Sequence, residues 1–244
     1  MIKVGAKEIV KEGLVCFMDP ANTSSYQPSG TTYYDLSSFA AKAVFQNFDT
    51  NNNFDPSDGG GSIIFDGVDD SIRVFTYGSV GITNSAETDS YLFTDEVTLE
   101  AFVKPTSFTS QPNIIGKGTN LGYRCRFTSD QRFWLYSSSG ASINNIQTAS
   151  NLINPNEWVH VVAVFSQSGL FAYVNGVLQA SNSQPFLPDI LNPTSIACVL
   201  HFGRFCSSGE LFEGKMGIIR VYHAALSADQ VLSNFNADRD RYGI

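Results

Sequence analysis

Three aspartates lie within one five-residue turn of this 244-residue chain. Asp66, Asp69 and Asp70 belong to the stretch DGVDD, which lies between two short apolar segments. Hard cations prefer clustered oxygen ligands, so these carboxylates could form a calcium site. Aspartate and glycine are also frequent in turns for purely conformational reasons. The sequence leaves both interpretations open and slightly favours the turn.

A second candidate chemistry is glycoside hydrolysis, which in its retaining form needs two carboxyl groups about 5 Å apart. Glu87 and Asp89 are two positions apart, but they lie in a polar stretch whose next candidate position is Leu92. Glu100 is the only acid in the apolar segment 97–103. The histidines are scattered along the chain and show no Ser-His-Asp spacing: His160, His201 and His223. The sequence therefore predicts a protein that is not an enzyme.

Aromatic side chains near loops are candidates for carbohydrate binding, because sugar rings stack on exposed aromatic rings. Tyr33, Tyr34, Phe202 and Phe205 are the candidates, and Tyr26 is a further one. The chain has 19 Phe and 10 Tyr, so most of its aromatic residues must belong to the core.

Composition narrows the choice of partners. The net charge is −8 and only 16% of residues are charged, whereas 43% are hydrophobic. A duplex-binding protein usually has a basic footprint, so nucleic acid is not expected as a partner. No run of about 18 apolar residues occurs, so no membrane span is expected. The four cysteines contain no CxxC pair and are expected to be buried free thiols, with a Cys198–Cys206 bridge as the alternative.

The elements that must position these residues are predicted to be β-strands. Residues 158–165 are apolar at nearly every position, 170–174 run back, and 177–180 form a third strand. Asn175-Gly176 between the last two is a strong signal for a type I′ hairpin. A three-stranded meander with so many apolar residues needs a second layer of secondary structure to cover it.

Further strands are predicted along the whole chain. Residues 21–60 and 76–96 are polar and predict loops. With no internal repeat and no long linker, about a dozen short strands favour a two-sheet sandwich or jelly roll. The additional strands are 14–18, 62–65, 71–75, 97–103, 121–127, 132–137, 196–203 and 216–222.

Residues 121–127 and 132–137 predict a hairpin around Ser129-Asp130. If Phe127 lies opposite Arg132, the two faces of the hairpin differ in composition. We expect the first face to be the core. The first face then carries Tyr123, Cys125, Phe127, Trp134 and Tyr136, and the second carries Arg124, Arg126, Phe133 and Leu135.

One late helix is predicted after the last strand. Ser227 is a candidate N-cap and Gln230 completes a capping box three residues later. Leu226 and Val231 are spaced for a hydrophobic staple, and the helix is expected to run to about Asn236.

Residues 1–12 predict a short N-terminal arm, and 13–244 predict one domain. The opening MIKVGAKEIVKEGLV has no continuous apolar segment and no small-residue cleavage site, so it does not resemble a secretory signal. The expectation is synthesis in the cytoplasm of a host cell.

Several stretches occur together in a characteristic order. They are GLVCFMDPAN, GSIIFDGVDDSIRV, VTLEAFVKP, NEWVHVVAVF with LFAYVNGVL, and FEGKMGIIRVYHAALSADQVLSNFN. Residues 13–244 thereby resemble the laminin-G-like, concanavalin A-like lectin/glucanase superfamily. The opening YQPSGTTYYDLS and the close VLSNFNADRDRYGI are similar to the versions in bacteriophage virion proteins.

The resemblance implies an all-β jelly-roll sandwich of two curved antiparallel sheets, with one short C-terminal helix and with neighbouring first and last strands. Glucanases of this superfamily have an E-x-D-x-x-E pattern. In this chain Glu87 and Asp89 match its first two acids, and Leu92 stands where the second glutamate should be. Many relatives have acidic residues after the FEGK motif, where this chain has Gly217 and Ile218. That difference makes calcium binding less expected.

The sequence therefore predicts a non-enzymatic phage virion structural protein, located in the outer capsid, neck or tail. Its expected partners are other virion proteins, copies of itself and a host-surface glycan. A carbohydrate-binding lectin module is the alternative and a glycoside hydrolase is the third interpretation.

Overall fold

The computed structural model describes residues 8–28, 30–49, 53–75, 93, 95–118, 122–139, 142–187, 199–206 and 209–244. Within these ranges the chain forms sixteen β-strands and one α-helix. The predicted all-β class with one C-terminal helix is confirmed. No helix among the described residues has the length and apolar character needed to cross a membrane.

The strands are antiparallel to their neighbours in each sheet, and the helix follows the last of them. They are β1 Leu14–Met18, β2 Thr32–Tyr34, β3 Lys42–Gln46, β4 Phe54–Asp55, β5 Ser62–Asp66, β6 Ser71–Phe75, β7 Val97–Pro105, β8 Asn113–Gly118, β9 Gly122–Phe127, β10 Phe133–Ser138, β11 Ile143–Gln147, β12 Val159–Ser166, β13 Gly169–Val174, β14 Val177–Ser181, β15 Leu200–Phe202 and β16 Glu213–Tyr222, followed by α1 Ala228–Tyr242.

Two eight-stranded antiparallel sheets pack face to face. The first sheet has the order β14-β13-β12-β7-β16-β5-β4, with β1 also paired to β16. The second has the order β11-β10-β9-β8-β15-β6-β3-β2. The pairing of β1 with β16 makes the first and last strands neighbours, as the resemblance implied.

The predicted meander forms the side of the first sheet that ends at β14. β12 is buried along all eight residues because the second sheet covers one face and α1 covers the other. Its outward-facing Val162 and Val164 pack with Val231 of the helix. Phe102 of β7 stacks on Tyr242 of the helix with ring centroids 4.3 Å apart. The helix therefore closes the outer face of the first sheet.

The helix begins as predicted and ends later than predicted. The Ser227 side chain accepts a hydrogen bond from the Gln230 backbone N–H, and the Gln230 side chain accepts one from the Ser227 N–H. The expected end at Asn236 is wrong by six residues. Gly243 takes the left-handed conformation and ends the helix after Tyr242. The ring of Tyr242 packs between the helix and the first sheet, against Phe102 and Ile218.

One predicted loop assignment needs correction. Residues 21–60 contain β2, β3 and the short β4, because the alternating apolar residues of 42–46 pair with β6. The DGVDD turn joins β5 to β6 as predicted, and it crosses the sandwich because these strands lie in different sheets. Residues 76–92, predicted as a polar excursion, lie outside the described residues.

The predicted register of the β9–β10 hairpin is wrong by one residue. Phe127 lies opposite Phe133, because three residues form the turn and Gln131 takes a left-handed conformation with φ 61°. A shift of one residue moves alternate side chains to the opposite face. Phe133 and Leu135 therefore face the core, and Trp134 and Tyr136 face outward.

The cysteines follow the free-thiol prediction in part. Cys16 and Cys125 are free and buried. Burial raises the pKa of the Cys125 thiol to about 12, which keeps it protonated. Cys206 is disulfide-bonded, so the free-thiol prediction is wrong there. Cys198, its partner in the alternative interpretation, lies outside the described residues.

Candidate functional site

The outer face of the second sheet brings together residues that are far apart in sequence. One row of paired positions crosses the sheet from Arg73 through His201, Gly116 and Arg124 to Tyr136. The row ends at Asn145 of the edge strand β11. Paired residues on one face of a sheet have neighbouring side chains, so the register alone assembles this surface.

A second row runs beside the first. Asn113 pairs with Arg126, Arg126 with Trp134, and Trp134 with Gln147. Asn145 and Gln147 are exposed to solvent at the edge of the sheet. The outward side chains of the two rows on β9, β10 and β11 form what we call the arginine–aromatic face: Arg124, Arg126, Trp134, Tyr136, Asn145 and Gln147.

Residues 203–206 and 209–212 lie over one side of the arginine–aromatic face. Asn113 Nδ2 donates to the Arg204 carbonyl at 2.8 Å, and the Asn113 N–H donates to the Glu210 carbonyl at 3.1 Å. The ring of Phe205 occupies the space above Gly116, where a Cβ atom would lie 2.7 Å from Phe205 Cδ2. The absence of a side chain at position 116 is what lets this segment approach the sheet.

Two arginines share one carboxylate at the centre of the face. Arg124 and Arg126 each donate to a different oxygen of Glu210, and about 13% of each arginine side chain is exposed. Their guanidinium groups also lie against aromatic rings. Arg126 Cζ is 3.9 Å from the Trp134 ring centroid, and Arg124 Cζ is 4.2 Å from that of Phe205. Each such contact contributes on the order of 0.5–1 kcal/mol when exposed and more when desolvated.

The stacked guanidinium groups decide what faces solvent. Trp134 is only 8% exposed because Arg126 lies over its ring, and its Nε1–H donates to Asn145 Oδ1 at 3.3 Å. A ligand would therefore contact the guanidinium and amide groups that cover the indole ring, and not the ring itself. Burial lowers the pKa of Arg124 and of Arg126, and the nearby Glu210 opposes that shift, so both guanidinium groups remain charged at neutral pH.

His201 adds no charge to this side of the second sheet. Burial, together with the charges of Arg73 and Arg204, lowers the pKa of its imidazole to about 4. The neutral ring is held by a 2.7 Å contact between Nδ1 and the Val199 carbonyl. His201 is therefore a structural residue at neutral pH.

The predicted carbohydrate-binding aromatics are divided between the two faces of the second sheet. Tyr33 and Phe202 have no exposed surface, and Tyr26 has none either, so none of them can stack on a sugar. Tyr34 is 50% exposed and Phe205 is 5% exposed. Tyr34 pairs with Lys42 at the far edge of the same outer face, whereas Phe205 supports Arg124.

The predicted calcium ligands do come together. One carboxylate oxygen from each of Asp66, Asp69 and Asp70 lies within 4.8 Å of the others. Asp66 Oδ1 accepts from the Val68 N–H at 2.8 Å, and Asp70 Oδ2 accepts from the Asp66 N–H at 3.0 Å. Asp70 is 4% exposed, and burial raises the pKa of its carboxyl to about 6. The carboxylates thus fold the turn, and their oxygens are of the type that calcium prefers.

Glu100, the acid predicted to lie alone in its strand, is part of a buried polar network. Its Oε1 accepts from Arg220 at 2.9 Å and lies 3.0 Å from His160 Nε2, and its Oε2 accepts from Asn234 Nδ2 at 2.7 Å. Arg220 also pairs with Asp238 of the helix. Glu100, His160 and Arg220 are wholly buried, so the network fastens α1 to the first sheet and is closed to a substrate. His160 is therefore a buried structural histidine, whereas His223 is half-exposed and pairs with Asp95.

The predicted carboxylate pair Glu87 and Asp89 lies outside the described residues, as does Leu92. The sequence correctly placed Arg124 and Arg126 on the face away from the core, through their alternation with the apolar Tyr123, Cys125 and Phe127. It missed the aromatic half of the face, Trp134 and Tyr136, because the hairpin register was assigned one residue too early.

Two packed antiparallel sheets, with neighbouring first and last strands and one helix on the outer face, define a lectin-type β-sandwich. Residues 76–232 match the family described as the concanavalin A-like lectin/glucanases superfamily, and the chain belongs to that superfamily. No curated protein matches the chain.

Solved structures share the fold at low sequence identity. The binding domain of botulinum neurotoxin DC in complex with SialylT has a TM-score of 0.66 and 12% identity, over 93% of this chain and 52% of that chain. The binding domain of Paraclostridial Mosquitocidal Protein 1 has a TM-score of 0.65 and 13% identity, over 92% and 52%. This chain therefore spans about half the length of those domains, and the likeness concerns the fold alone.

Proposed function

We propose that this chain is a non-catalytic carbohydrate-binding module and that it serves on the surface of a phage virion. The observation that carries the proposal is the arginine–aromatic face. Asn145 and Gln147 offer exposed amides for sugar hydroxyls, and the neighbouring arginines offer additional fixed donors. Sugar-binding sites typically combine such polar groups with aromatic side chains.

The structural neighbours support a binding role by analogy of fold. One is a binding domain in complex with SialylT, and another is a structure of a toxin whose cell entry depends on interaction with two ganglioside molecules. Function does not follow from fold alone. For that reason the proposal rests on the side chains of this chain.

Two described glutamates, Glu100 and Glu210, are unsuited to hydrolysis. A retaining hydrolase needs two accessible carboxyl groups about 5 Å apart, one of which must deliver a proton. Glu100 is sealed in the interior, and both oxygens of Glu210 are engaged by Arg124 and Arg126. We expect no release of reducing sugar from β-glucans by the purified protein, and no effect of Glu87→Gln. Sustained release that Glu87→Gln abolishes would contradict this.

The binding proposal is tested on a glycan array followed by calorimetric titration of the best ligand. Asn145→Ala combined with Gln147→Ala should weaken binding about tenfold or more, because each lost hydrogen bond contributes about 1 kcal/mol. Both residues are exposed, and the one described side-chain bond that is lost is the 3.3 Å bond from Trp134 Nε1 to Asn145, so the melting temperature should fall only slightly. Gln167→Ala, an exposed amide in the turn between β12 and β13, is the matched control and should bind like the parent. An array without any bound glycan, or equal affinity of the double variant, would overturn the proposal.

The virion setting is supported by the similarity of the terminal motifs to the phage versions. Mass spectrometry of purified particles should detect the chain at a stoichiometry fixed by the symmetry of the particle. A lectin of cellular origin would be missing from purified particles. This measurement separates the setting from the binding activity, which the array tests independently.

A further inference from the structure

The charge of the arginine–aromatic face is opposite to that of the protein. The chain has 15 Lys and Arg against 23 Asp and Glu. On this side of the second sheet, however, the described outward residues include Arg124 and Arg126, and Arg204 lies two residues after the end of β15. Glu210 is the carboxylate that Arg124 and Arg126 share among the described contacts. Such segregation of charge needs an explanation beyond solubility.

Arginines elsewhere in the described chain have carboxylates of their own. Arg132 pairs with Asp130, Arg220 with Glu100 and Asp238, and Arg241 with Asp19. At the face, two arginines divide one carboxylate. The Nε donors of Arg124, Arg126 and Arg204 are buried without an acceptor among the described residues, as is that of Arg220 in the interior. What distinguishes the face is its charge, because two arginines there pair with a single carboxylate among the described contacts.

The geometry suits a carboxylate in particular. Glu210 shows how a planar carboxylate is received here, with one oxygen on each of the two guanidinium groups. Guanidinium groups fixed by stacking on Trp134 and Phe205 lose little conformational freedom on binding an anion. Charge-assisted hydrogen bonds of this type are about twice as strong as neutral ones.

We infer that the ligand of the arginine–aromatic face is an acidic glycan, bearing a carboxylate or sulfate beside the hydroxyls that Asn145 and Gln147 bind. This inference rests on the proposed function and names the chemical class of its ligand. Arg124, Arg126 and Arg204 supply the anion-binding charge. Glu210 orients the two stacked arginines and sets the net charge that the ligand meets.

A nucleic acid is the competing polyanion, and the observations favour the glycan. Single-stranded nucleic acid needs exposed aromatic platforms along a positively charged groove. Here Trp134 is 8% exposed under a guanidinium group, and the positive surface is short. The net charge of −8 also opposes a long polyphosphate at a distance.

The test is an array that pairs each acidic glycan with its neutral counterpart. Uronate oligomers are printed beside their carboxyl-reduced forms, sialylated glycans beside desialylated ones, and sulfated glycans beside desulfated ones, together with a single-stranded oligonucleotide. The acidic member of a bound pair should bind at least about tenfold more tightly, the factor that one charge-assisted hydrogen bond supplies. The preference for the acidic member should shrink when the salt concentration of the assay is raised from about 50 to about 200 mM, because salt screens interactions between charges.

The outcomes separate the two proposals. Equal or tighter binding of the neutral members would overturn the acidic class and leave the glycan-binding module intact. Tighter binding of the oligonucleotide would also overturn the inference. No binding to any glycan would overturn the proposed function together with the inference.

Variants test the residues directly. Arg126→Gln and Arg204→Gln should each reduce the acidic preference several-fold, whereas Glu210→Gln should increase it by removing a competing negative charge. Arg132→Gln, an arginine at the neighbouring turn that pairs with Asp130, is the matched control and should leave the preference unchanged. Melting temperatures identify any variant that fails to fold. If Arg204→Gln, which breaks no described side-chain bond, retained the full preference along with Arg126→Gln, the inference would be wrong.

Discussion

Individual residues decide how the two sheets and the helix respond to acid. Burial alone would raise the pKa of Glu100, but the charge of Arg220 and the hydrogen bond from His160 outweigh it and lower the pKa to about 2. In the unfolded chain the same carboxyl titrates near 4.5. A group with a lowered pKa in the folded state stabilises above its unfolded pKa, and this stability is lost as the pH falls toward the folded value.

We therefore predict that Glu100→Gln destabilises the protein by about 3–5 kcal/mol at pH 7, because Arg220 would lose its buried partner. The parent should lose stability between pH 4.5 and pH 2, and the variant should lose less over that interval. Urea unfolding at a series of pH values measures both. Glu12→Gln, at an exposed position, is the control and should follow the parent. A variant as stable as the parent would show that the network contributes nothing.

Asp70 should respond to pH in the opposite direction. Burial, together with the negative charges of the neighbouring Asp66 and Asp69, raises its pKa from 3.8 to about 6. Between these values the folded protein retains a proton that the unfolded chain has released. The stability that results is present below about pH 4 and is lost as the pH rises through 6.

Asp70→Asn should remove this fall in stability between pH 4 and 6, because the amide is neutral throughout and still accepts from the Asp66 N–H. The urea midpoint at each pH measures the effect, and parallel curves for parent and variant would contradict it. Bound calcium would change the expected result, since it would favour the ionised carboxylates. We expect chelator and calcium to leave the melting temperature unchanged. A decrease with chelator that calcium reverses and Asp69→Ala abolishes would establish a metal site.

At the scale of the elements, the sequence correctly predicted the features that depend on local sequence signals. The capping box of Ser227 and Gln230 and the Asn175-Gly176 turn were predicted correctly because each depends on residues close in sequence. The register of β9 and β10 was not, because a left-handed Gln131 in the turn has no strong sequence signal. The end of the helix was missed because Tyr242 is held by a tertiary contact, in which its hydroxyl accepts from the Ile218 N–H at 2.9 Å.

The cap of the helix provides a prediction at this scale. Ser227→Ala should lower the free energy of unfolding by about 1 kcal/mol, because the Gln230 N–H would lose its acceptor at the start of the helix. Chemical denaturation monitored by circular dichroism measures the loss. Ser227→Asp is the matched variant that preserves an acceptor and should retain the parental stability. An equal loss in both variants would attribute the effect to something other than capping.

At the scale of the whole molecule, sequence predicted the class of fold and much less of the binding surface. The sandwich follows from many apolar strands that require a covering layer, and each strand contributes to that prediction independently. The arginine–aromatic face follows from one register and one covering segment. A single error there exchanges Trp134 and Tyr136 for Phe133 and Leu135. A core prediction tolerates such an error, whereas a site prediction does not.

The N-terminal arm provides the prediction for assembly. Its described part already contacts the domain: the Val10 N–H donates to Asn234 Oδ1 at 2.8 Å, and Val10 packs beside Tyr222. We propose that the arm contributes to contact with copies of this chain or with other virion proteins. A sandwich with edge strands such as β14 offers sites that a neighbouring segment can extend.

Two deletions separate assembly from folding. Removal of residues 2–7 retains Val10 and its contacts, so the melting temperature should remain that of the parent while oligomerisation or incorporation into particles falls. Removal of residues 2–11 should reduce assembly equally and should also lower the melting temperature, because Asn234 and Tyr222 lose their partners in the arm. Light scattering and particle composition measure assembly. If both truncated proteins assembled as well as the full chain, the attachment would belong to the surface of the sandwich instead of the arm.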